Sequence, residues 1–394
     1  LLYYIYNNII MNYGIESQLK IYTKTNENYD LPISIEDWRT IAMETLNKNA
    51  WGYLEGAAGN EDTMNENRKA FLRYYIRPRY LRNVEGRDIS IELFGKKFDT
   101  PFILAPIGVQ SILHKDAEMA TARAAANLKM PFVLSTVSSV SIEDIAKENK
   151  NSEKWFQIYP GRDKKIMKSM IERADNSGYS AIMVTVDTTM LGWREIDLKN
   201  AYLPFLEGEG IANYLTDPEF RSRLGKNPED NIQDAIEEFL FVYVNPGFTW
   251  EDFSEIRKWT DLPLIIKGIS SYMDVKKAFE LKADAVVISN HGGRQVDGAI
   301  PSIDALNEIT GNNKINGSIL FDSGIRHAAD AVKALALGAK AVLIGRPYAY
   351  ALSVAGQRGV ECYMNYLGSE MDLEMGLAGY SSIKELNRDC IYIK

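Results

Sequence analysis

One imidazole and one guanidinium stand close together in the segment 289–295, whose sequence is SNHGGRQ. The segment follows the apolar run AVVI, and an apolar run that stops at a polar, glycine-bearing stretch predicts a buried strand ending in a loop. Gly292 and Gly293 permit backbone angles that other residues resist, so they can direct His291 and Arg294 into one space. A base beside a fixed carboxylate-binding fork is what a reaction on a 2-hydroxy acid requires. The alternative is a surface loop in which the two side chains have no common role.

Other polar side chains close apolar runs elsewhere in the chain. Asp187 follows the run AIMVTV and can fix the tautomer of a histidine, although a cap or an ion pair with Arg194 would also explain it. Lys267 ends the run LII and suits either a Schiff base or a fixed cation beside a cofactor that becomes anionic. Gln157 and Thr185 add neutral groups of the kind that hydrogen-bond the edge of a heteroaromatic ring.

The last two apolar runs each end in a glycine and an arginine. Gly324 and Arg326 follow one run, and Gly345 and Arg346 follow the other. Backbone N–H groups near glycine, assisted by cations, commonly bind phosphate at such strand ends. The two pairs therefore favour a phosphate-bearing ligand over ordinary turn glycines.

Eight short apolar runs recur from residue 102 onwards, with helical stretches between them. This alternation predicts an α/β fold, a parallel (β/α)8 TIM barrel whose site forms at the C-terminal ends of the strands. The runs are Phe102–Pro106, Phe132–Ser135, Trp155–Tyr159, Ala181–Val186, Leu264–Lys267, Ala285–Ser289, Ile319–Phe321 and Ala341–Ile344.

Further elements are predicted outside the barrel. Residues 34–73 have a helical pattern that begins at an N-cap, Ser34, and a hairpin is predicted near residues 89–95. The long gap between the fourth and fifth runs contains Tyr202, Phe205 and Tyr214, and we predict that residues 199 to about 247 form an ordered lid over the barrel mouth. The predicted domains are an N-terminal extension at residues 1–32 and one barrel domain at residues 33–394.

The composition narrows the classes of function. The 394 residues are 46% hydrophobic and 25% charged, and the net charge of −8 without a basic run argues against a nucleic-acid surface. No stretch of eighteen uncharged apolar residues occurs, so no membrane span is expected. Cys362 and Cys390 have no metal-binding spacing, no metal site is predicted, and a reducing cytoplasm is the expected setting. Residues 1–10 are expected to be an extension without function, with Met11 as a candidate natural start.

Several motifs together resemble the FMN-dependent 2-hydroxy-acid-oxidising flavoenzymes. The most specific is SNHGGRQ at 289–295, and support comes from APIG at 105–108, FQIY at 156–159, TVDT at 185–188, DSGIR at 322–326 and LIGRP at 343–347. The likeness covers roughly residues 33–390 in the family's order. Within the family the chain is most similar to the lactate 2-monooxygenase and lactate oxidase group, through GWR at 192–194 and NYLTDP at 213–218.

The resemblance implies a role for each residue that matches a family motif. His291 corresponds to the catalytic base, Asp187 to its partner, and Tyr159 to the tyrosine that bonds the substrate hydroxyl. The substrate carboxylate corresponds to Tyr53, Arg194 and Arg294. The FMN-binding positions are Ile107, Gly108, Ser135, Gln157, Thr185, Lys267, Ser289, Asp322, Ser323, Gly324, Arg326, Gly345 and Arg346.

The reaction that the resemblance implies is FMN-dependent oxidation of an L-2-hydroxy acid, L-lactate foremost, with oxygen as the acceptor. A lactate oxidase releases pyruvate and forms peroxide, whereas a lactate 2-monooxygenase retains pyruvate, which is decarboxylated to acetate. The room that Gly108 leaves near flavin N5 and the long insertion both favour retention. A dehydrogenase with another acceptor stays open, as does another phosphate-binding barrel, such as an FMN-dependent isomerase or a Schiff-base aldolase. The resemblance also implies a homo-oligomer, a tetramer or an octamer.

Overall fold

The computed structural model describes residues 13–25, 27–28, 30–311 and 315–394, so the extension predicted at residues 1–10 lies outside the described part. Eight parallel strands form a closed barrel, in which β8 pairs with β1 through Val342 opposite Phe102. The strands are β1 Phe102–Leu104, β2 Phe132–Ser135, β3 Lys154–Ile158, β4 Ile182–Thr185, β5 Leu264–Ile269, β6 Ala285–Ile288, β7 Ser318–Phe321 and β8 Ala341–Ile344. The predicted (β/α)8 barrel is confirmed.

A helix follows each strand before the next strand begins. These helices are Ala117–Asn127, Ile142–Glu148, Lys164–Asn176, Trp250–Ile256, Tyr272–Glu280, Ser302–Gly311, Ala328–Ala336 and Arg346–Leu377. The last helix bends at Gly356, whose φ of 58° is not helical. None of the helices in the described residues is both long and apolar enough to cross a membrane.

The N-terminal segment is a series of short helices rather than one continuous helix over residues 34–73. The helices are Tyr13–Tyr22, Ile35–Thr45, Lys48–Glu55 and Asp62–Ala70. Ser34 caps the second of them, as predicted, because its side chain accepts a hydrogen bond from the Asp37 N–H at 3.1 Å. Asn47 caps the third by accepting from the Ala50 N–H at 2.9 Å, and Tyr53 of this third helix is buried.

One face of the strands fills the inside of the barrel, because successive residues of a strand point to opposite faces. The inward-facing apolar set consists of Ile103, Ala105, Val133, Trp155, Ala181, Met183, Ile265, Ala285, Val287, Leu320, Ala341 and Leu343. These side chains form a packed core, as the interior of an eight-stranded barrel requires.

The predicted hairpin is confirmed as strands Ile91–Leu93 and Lys96–Phe98. Leu93 joins the apolar set inside the barrel. The ring of Phe94 lies 5.6 Å from that of Trp155, near the start of β3. The hairpin therefore closes the N-terminal end of the barrel. A second pair of antiparallel strands, Tyr74–Ile76 and Ile391–Ile393, joins the two ends of the domain.

The insertion between β4 and β5 is folded around aromatic side chains of its own. Its helical pieces are Glu195–Lys199, Pro204–Glu207, Ala212–Leu215, Pro218–Arg221 and Ile232–Tyr243. Phe205, Tyr214 and Phe239 are at most 3% exposed, and the Tyr214 and Phe239 ring centroids are 4.8 Å apart. Tyr202, in contrast, is partly exposed and meets the Tyr53 ring at 6.5 Å. Two of the three aromatic residues that predicted an ordered segment, Phe205 and Tyr214, therefore lie in its core.

Candidate active site

Toward the C-terminal ends of the strands, the inward-facing positions change from apolar to polar in six strands, whereas β1 continues with Ile107 and β8 with Gly345. Since one face recurs at every second residue, Met183 is followed on the same face by Thr185 and Asp187. The other strands continue in the same way through Ala105 and Ile107; Val133 and Ser135; Trp155, Gln157 and Tyr159; Ile265 and Lys267; Val287 and Ser289; Leu320 and Asp322; and Leu343 and Gly345. Residues that are far apart in the sequence are thus brought into one layer above the packed interior.

His291 and Asp187 form a hydrogen-bonded pair at the barrel mouth. The His291 Nδ1 atom lies 2.8 Å from Asp187 Oδ1, and the hydroxyl of Thr188 lies within 3.2 Å of Nδ1 and 3.0 Å of Oδ1. As the sequence predicted, Gly292 and Gly293 have positive φ, at 64° and 80°. A carboxylate beside Nδ1 places the ring proton on Nδ1 and leaves Nε2 as the basic nitrogen.

The protonation of this pair suits a base. Burial lowers the pKa of His291, although Asp187 opposes that shift, so the imidazole is neutral near pH 7. Burial disfavours the charge on Asp187, but His291 and Lys267 outweigh it and lower the pKa of the carboxyl. A neutral imidazole held by an ionised carboxylate can accept a proton and stabilise it.

Two guanidinium groups, those of Arg194 and Arg294, line the same cavity as His291. Arg294 donates to the Gly56 carbonyl at 2.5 Å and lies over the Tyr53 ring, 5.1 Å from its centroid. Arg194 donates to Gln295 Oε1 at 2.9 Å. Burial lowers the pKa of Arg294 to about 9, and the positive charges of Arg194 and Arg346 contribute to this shift. Because arginine stays protonated in proteins, the site carries positive charge that an anion would neutralise.

Tyr159 and Tyr243 form the aromatic wall beside the imidazole. The Tyr159 ring lies 6.5 Å from the His291 ring and 5.6 Å from the Tyr243 ring. Tyr243 ends the helix Ile232–Tyr243 of the insertion and lines the cavity, and the sequence analysis did not identify it. Its position at the end of an amphipathic helix offered no signal that the ring would reach the barrel mouth.

One cavity at the barrel mouth collects most of the predicted residues. It encloses ≈ 1080 Å³ of empty space, counted to its open side, which is the size of a cofactor site. The predicted residues on its wall are Tyr53, Ile107, Gly108, Tyr159, Arg194, Lys267, His291, Arg294, Asp322, Ser323, Gly324, Arg326, Gly345 and Arg346. Four predicted cofactor residues, Ser135, Gln157, Thr185 and Ser289, are buried but do not line it.

Two of these four residues carry polar atoms that need a partner. Within the described part of the chain, Gln157 Nε2 and Thr185 Oγ1 are buried without a hydrogen-bond partner. An unpaired buried polar group is costly, so both atoms fit a ligand with hydrogen-bonding groups on a ring edge, such as a flavin. Lys267 lies nearby on β5, where its ammonium contacts Asp322 at 3.0 Å and donates to Ser289 Oγ at 3.0 Å.

The ends of β7 and β8 fit a phosphate. Gly345 stands at the start of the helix Arg346–Leu377, and a Cβ built on it meets no atom within 4 Å, so a side chain there would take up open space at the cavity wall. Gly324 has a φ of 94°. Helix N-termini and nearby backbone N–H groups bind phosphate, and the Arg326 guanidinium adds a cation on the same wall.

The side chain of Arg346 has a different task from that expected of a phosphate ligand. Its guanidinium donates to the carbonyls of Leu54, Gly292 and Gly56, at 3.2, 2.9 and 3.0 Å. These bonds join the N-terminal helices to the histidine loop. Three of its five N–H groups are used in this way, and a further contribution of Arg346 to a phosphate, from its side chain or from its backbone at the helix start, stays a prediction.

Gly108 also has a different explanation from the one drawn from the sequence. A Cβ at Gly108 would lie 2.3 Å from the Val137 carbonyl oxygen and 2.4 Å from Val137 Cγ2. The close approach of the loops after β1 and β2 is therefore one reason for a glycine at this position. The room that it leaves for oxygen stays a prediction.

Comparisons with known proteins agree with this geometry. The sequence model described as FMN-dependent dehydrogenase matches residues 42–393. An L-lactate oxidase from Lysinibacillus sphaericus is 41% identical over 355 residues, covering 90% of this chain and 91% of that protein. An L-lactate oxidase from Nostoc sp. is 38% identical, covering 92% of this chain and 98% of its own. A crystal structure of mandelate oxidase superposes with a TM-score of 0.81 at 35% identity, covering 92% and 99% of the two chains.

Proposed function

The chain belongs to the FMN-dependent dehydrogenase family, and from that premise we propose that it oxidises a small L-2-hydroxy acid, L-lactate foremost, with oxygen as the electron acceptor. The protein is an FMN-dependent oxidoreductase acting on a 2-hydroxy acid. The observation that carries the finer proposal is the meeting, at one cavity, of the neutral His291 imidazole, held by ionised Asp187, with the cations Arg294 and Arg194.

The proposed roles follow from what each group can donate or accept. Arg294 and Arg194 hold the substrate carboxylate, since an anion relieves the repulsion between their buried charges. Tyr159 donates to the substrate hydroxyl; burial raises the pKa of its phenol, so it stays protonated. His291 Nε2 accepts the proton that leaves the substrate, and Asp187 stabilises the imidazolium.

FMN, when bound, accepts the two electrons that the substrate loses as it becomes a 2-oxo acid. Gln157, Thr185 and Lys267 would hold the ring edge. The ribityl chain and phosphate would be held by Ile107, Gly108, Ser135, Ser289, Asp322, Ser323, Gly324, Arg326, Gly345 and the Arg346 backbone. The unpaired Gln157 and Thr185 atoms and the open wall at Gly345 support this assignment.

L-Lactate is proposed as the substrate for two reasons. Both lactate oxidases named above are close to 40% identical to this chain over about nine-tenths of its length. The aromatic wall of Tyr159 and Tyr243, with Leu191 and Val137 on the same cavity, limits the side chain that can stand beside His291. The methyl group of lactate fits beside these side chains with less displacement of them than the ring of an aromatic 2-hydroxy acid would require.

The fate of the product separates two candidates. The names of the relatives favour an oxidase, in which lactate and O₂ give pyruvate and H₂O₂. The insertion, whose Tyr243 closes one side of the cavity, favours a monooxygenase, in which retained pyruvate and peroxide give acetate, CO₂ and water. We propose the oxidase as the main activity and the monooxygenase as the second candidate.

Product analysis tests the proposal. The purified protein should be yellow, release FMN on denaturation, and be bleached by L-lactate without oxygen, whereas D-lactate should have no effect. In air, equal amounts of pyruvate and peroxide are expected. Acetate and CO₂ without free peroxide would show the monooxygenase. Rapid reduction of a dye with negligible oxygen uptake would contradict both, and bleaching by mandelate in preference to lactate would refute the substrate proposed.

The cellular compartment and the oligomeric state are proposals as well. We propose a cytoplasmic homo-oligomer, a tetramer or an octamer; the two cysteines, both buried and free, support a reducing compartment. Light scattering at micromolar protein would give the mass, and a monomer at that concentration would refute the assembly.

A further inference from the structure

Asn213 connects the insertion to the end of β2. It lies in the short helix Ala212–Leu215 and is fully buried. Its Nδ2 atom donates to the carbonyls of Ser135 and Thr136, at 3.2 and 3.1 Å, and its Oδ1 atom accepts from the Ile142 N–H at 2.9 Å. One side chain therefore satisfies three buried backbone groups on the loop that leaves β2.

The same loop fixes the amide of Gln157. Gln157 Oε1 accepts from the Ser135 hydroxyl at 3.0 Å and from the Thr136 N–H at 3.3 Å. A backbone N–H can only donate, so the oxygen of the amide must face it. The amide nitrogen is then directed away, which is why Gln157 Nε2 is left as an unpaired donor among the described residues.

We propose that Asn213 is a positioning residue for the flavin: by holding the Ser135 and Thr136 carbonyls, it keeps the β2 loop where that loop orients the Gln157 amide toward the cofactor. The insertion is then part of the flavin site, in addition to any role as a lid. This inference rests on the proposed placement of the FMN ring at Gln157. Asn213 acts only through other residues, since it does not line the cavity itself.

The competing explanation is that Asn213 merely stabilises the insertion, and the chain offers a matched control. Asp217 lies four residues further on and is also fully buried. It accepts from Ser169 Oγ at 2.8 Å, from Arg173 Nη1 at 2.9 Å and from the Phe220 N–H at 3.1 Å. Asp217 thus anchors the same stretch of insertion to the helix Lys164–Asn176, but has no bond to the β2 loop.

The test uses holoenzyme of the wild type, Asn213→Leu and Asp217→Asn. The rate of FMN release is followed by the recovery of flavin fluorescence, and the absorption bands of the bound flavin and the Tm are recorded. Loss of the three bonds should speed FMN release in Asn213→Leu by about tenfold or more, with displaced flavin bands. Asp217→Asn should lower the Tm while its release rate and bands stay close to wild type.

Asn213→Asp provides a second arm in case the leucine variant does not fold. Its ionised carboxylate accepts from Ile142 but donates to neither carbonyl, and once it is protonated its single O–H donates to Ser135 or Thr136. The ratio of its FMN release rate to that of wild type should therefore fall toward one as the pH is lowered. A ratio that does not change with pH would overturn the inference, as would wild-type release in Asn213→Leu or equally fast release in Asp217→Asn. If the wild-type protein bound no FMN, the proposed placement of the flavin at Gln157 would fail. That result is distinguishable from a failure of the role proposed for Asn213.

Discussion

Replacing Asp187 by asparagine tests the proposed base most directly, because it preserves the shape of the side chain and removes its charge. The carboxylate now holds His291 Nδ1 at 2.8 Å and favours the imidazolium that forms when Nε2 accepts a proton. An asparagine amide provides no such charge, and it can donate to Nδ1, which would move the ring proton to Nε2. The base would then be lost in part of the molecules and weakened in the rest.

The size of the effect follows from the contact distance. An imidazolium and a carboxylate in this geometry have charge centres about 4 Å apart, which at an effective dielectric constant near 20 corresponds to roughly 4 kcal/mol. At about 1.4 kcal/mol for each factor of ten, the rate of flavin reduction should fall by about a thousandfold. The hydroxyl of Thr188 contacts the same two residues without a net charge. Thr188→Val should therefore cost about ten- to a hundredfold, the worth of one hydrogen bond to a charged carboxylate, which is less than the loss expected for Asp187→Asn.

Anaerobic stopped-flow reduction of the flavin by L-lactate is the assay, because it isolates the half-reaction in which the base acts. In the wild type, the rate should rise with pH through a value below 6.5, since burial lowers the pKa of His291 and only the neutral imidazole accepts the proton. In Asp187→Asn the rise of the rate with pH should occur at still lower pH, because the Asp187 carboxylate, which opposes the lowering of the His291 pKa, is gone. Reduction within about tenfold of wild type, or a loss equal to that of Thr188→Val, would refute the argument.

Three further substitutions examine other parts of the cavity. Arg294→Lys keeps a charge but loses the planar fork, so pyruvate binding, measured by perturbation of the flavin absorbance, should weaken by about tenfold or more, and unchanged affinity would exclude Arg294 as the carboxylate ligand. Arg326→Ala should weaken the binding of FMN to apoprotein by about tenfold or more while leaving riboflavin unaffected, since riboflavin lacks the phosphate; equal losses for both would contradict a phosphate contact. Gly108→Ala should lower the Tm because its Cβ would meet the Val137 carbonyl at 2.3 Å, and an unchanged Tm with altered oxygen reactivity would restore the explanation based on room for oxygen.

The barrel and most of its site were predictable because buried parallel strands leave a strong pattern. Each strand is a continuous apolar run, and the chemistry begins where the inward-facing position turns polar, as at Lys267 and Thr185. The loop glycines were also predictable, since Gly292 and Gly293 adopt the positive φ that their residue type favours. The residues to which we assign the reaction stand next to these signals in the sequence, so local patterns sufficed to propose them.

The remaining features depend on contacts between distant segments. Tyr243 reaches the cavity from the end of a helix in the insertion, and its position is set by packing on Phe239 and Tyr159, which no local pattern encodes. The three carbonyl partners of the Arg346 side chain likewise come from distant segments and could not be read from its residue type. The boundaries proposed for the lid, and the assignment of individual FMN contacts, stay predictions for the experiments above.

The hairpin at the N-terminal end of the barrel affects how small molecules can reach the cavity. With Leu93 packed into the barrel interior and Phe94 against Trp155, that end offers no passage in the part of the chain that the structure describes. The cavity therefore opens away from the hairpin end. In the proposed reaction, oxygen reacts after the substrate has been oxidised. A second substrate molecule that binds in the cavity at that stage would exclude oxygen, so a large excess of L-lactate should slow turnover.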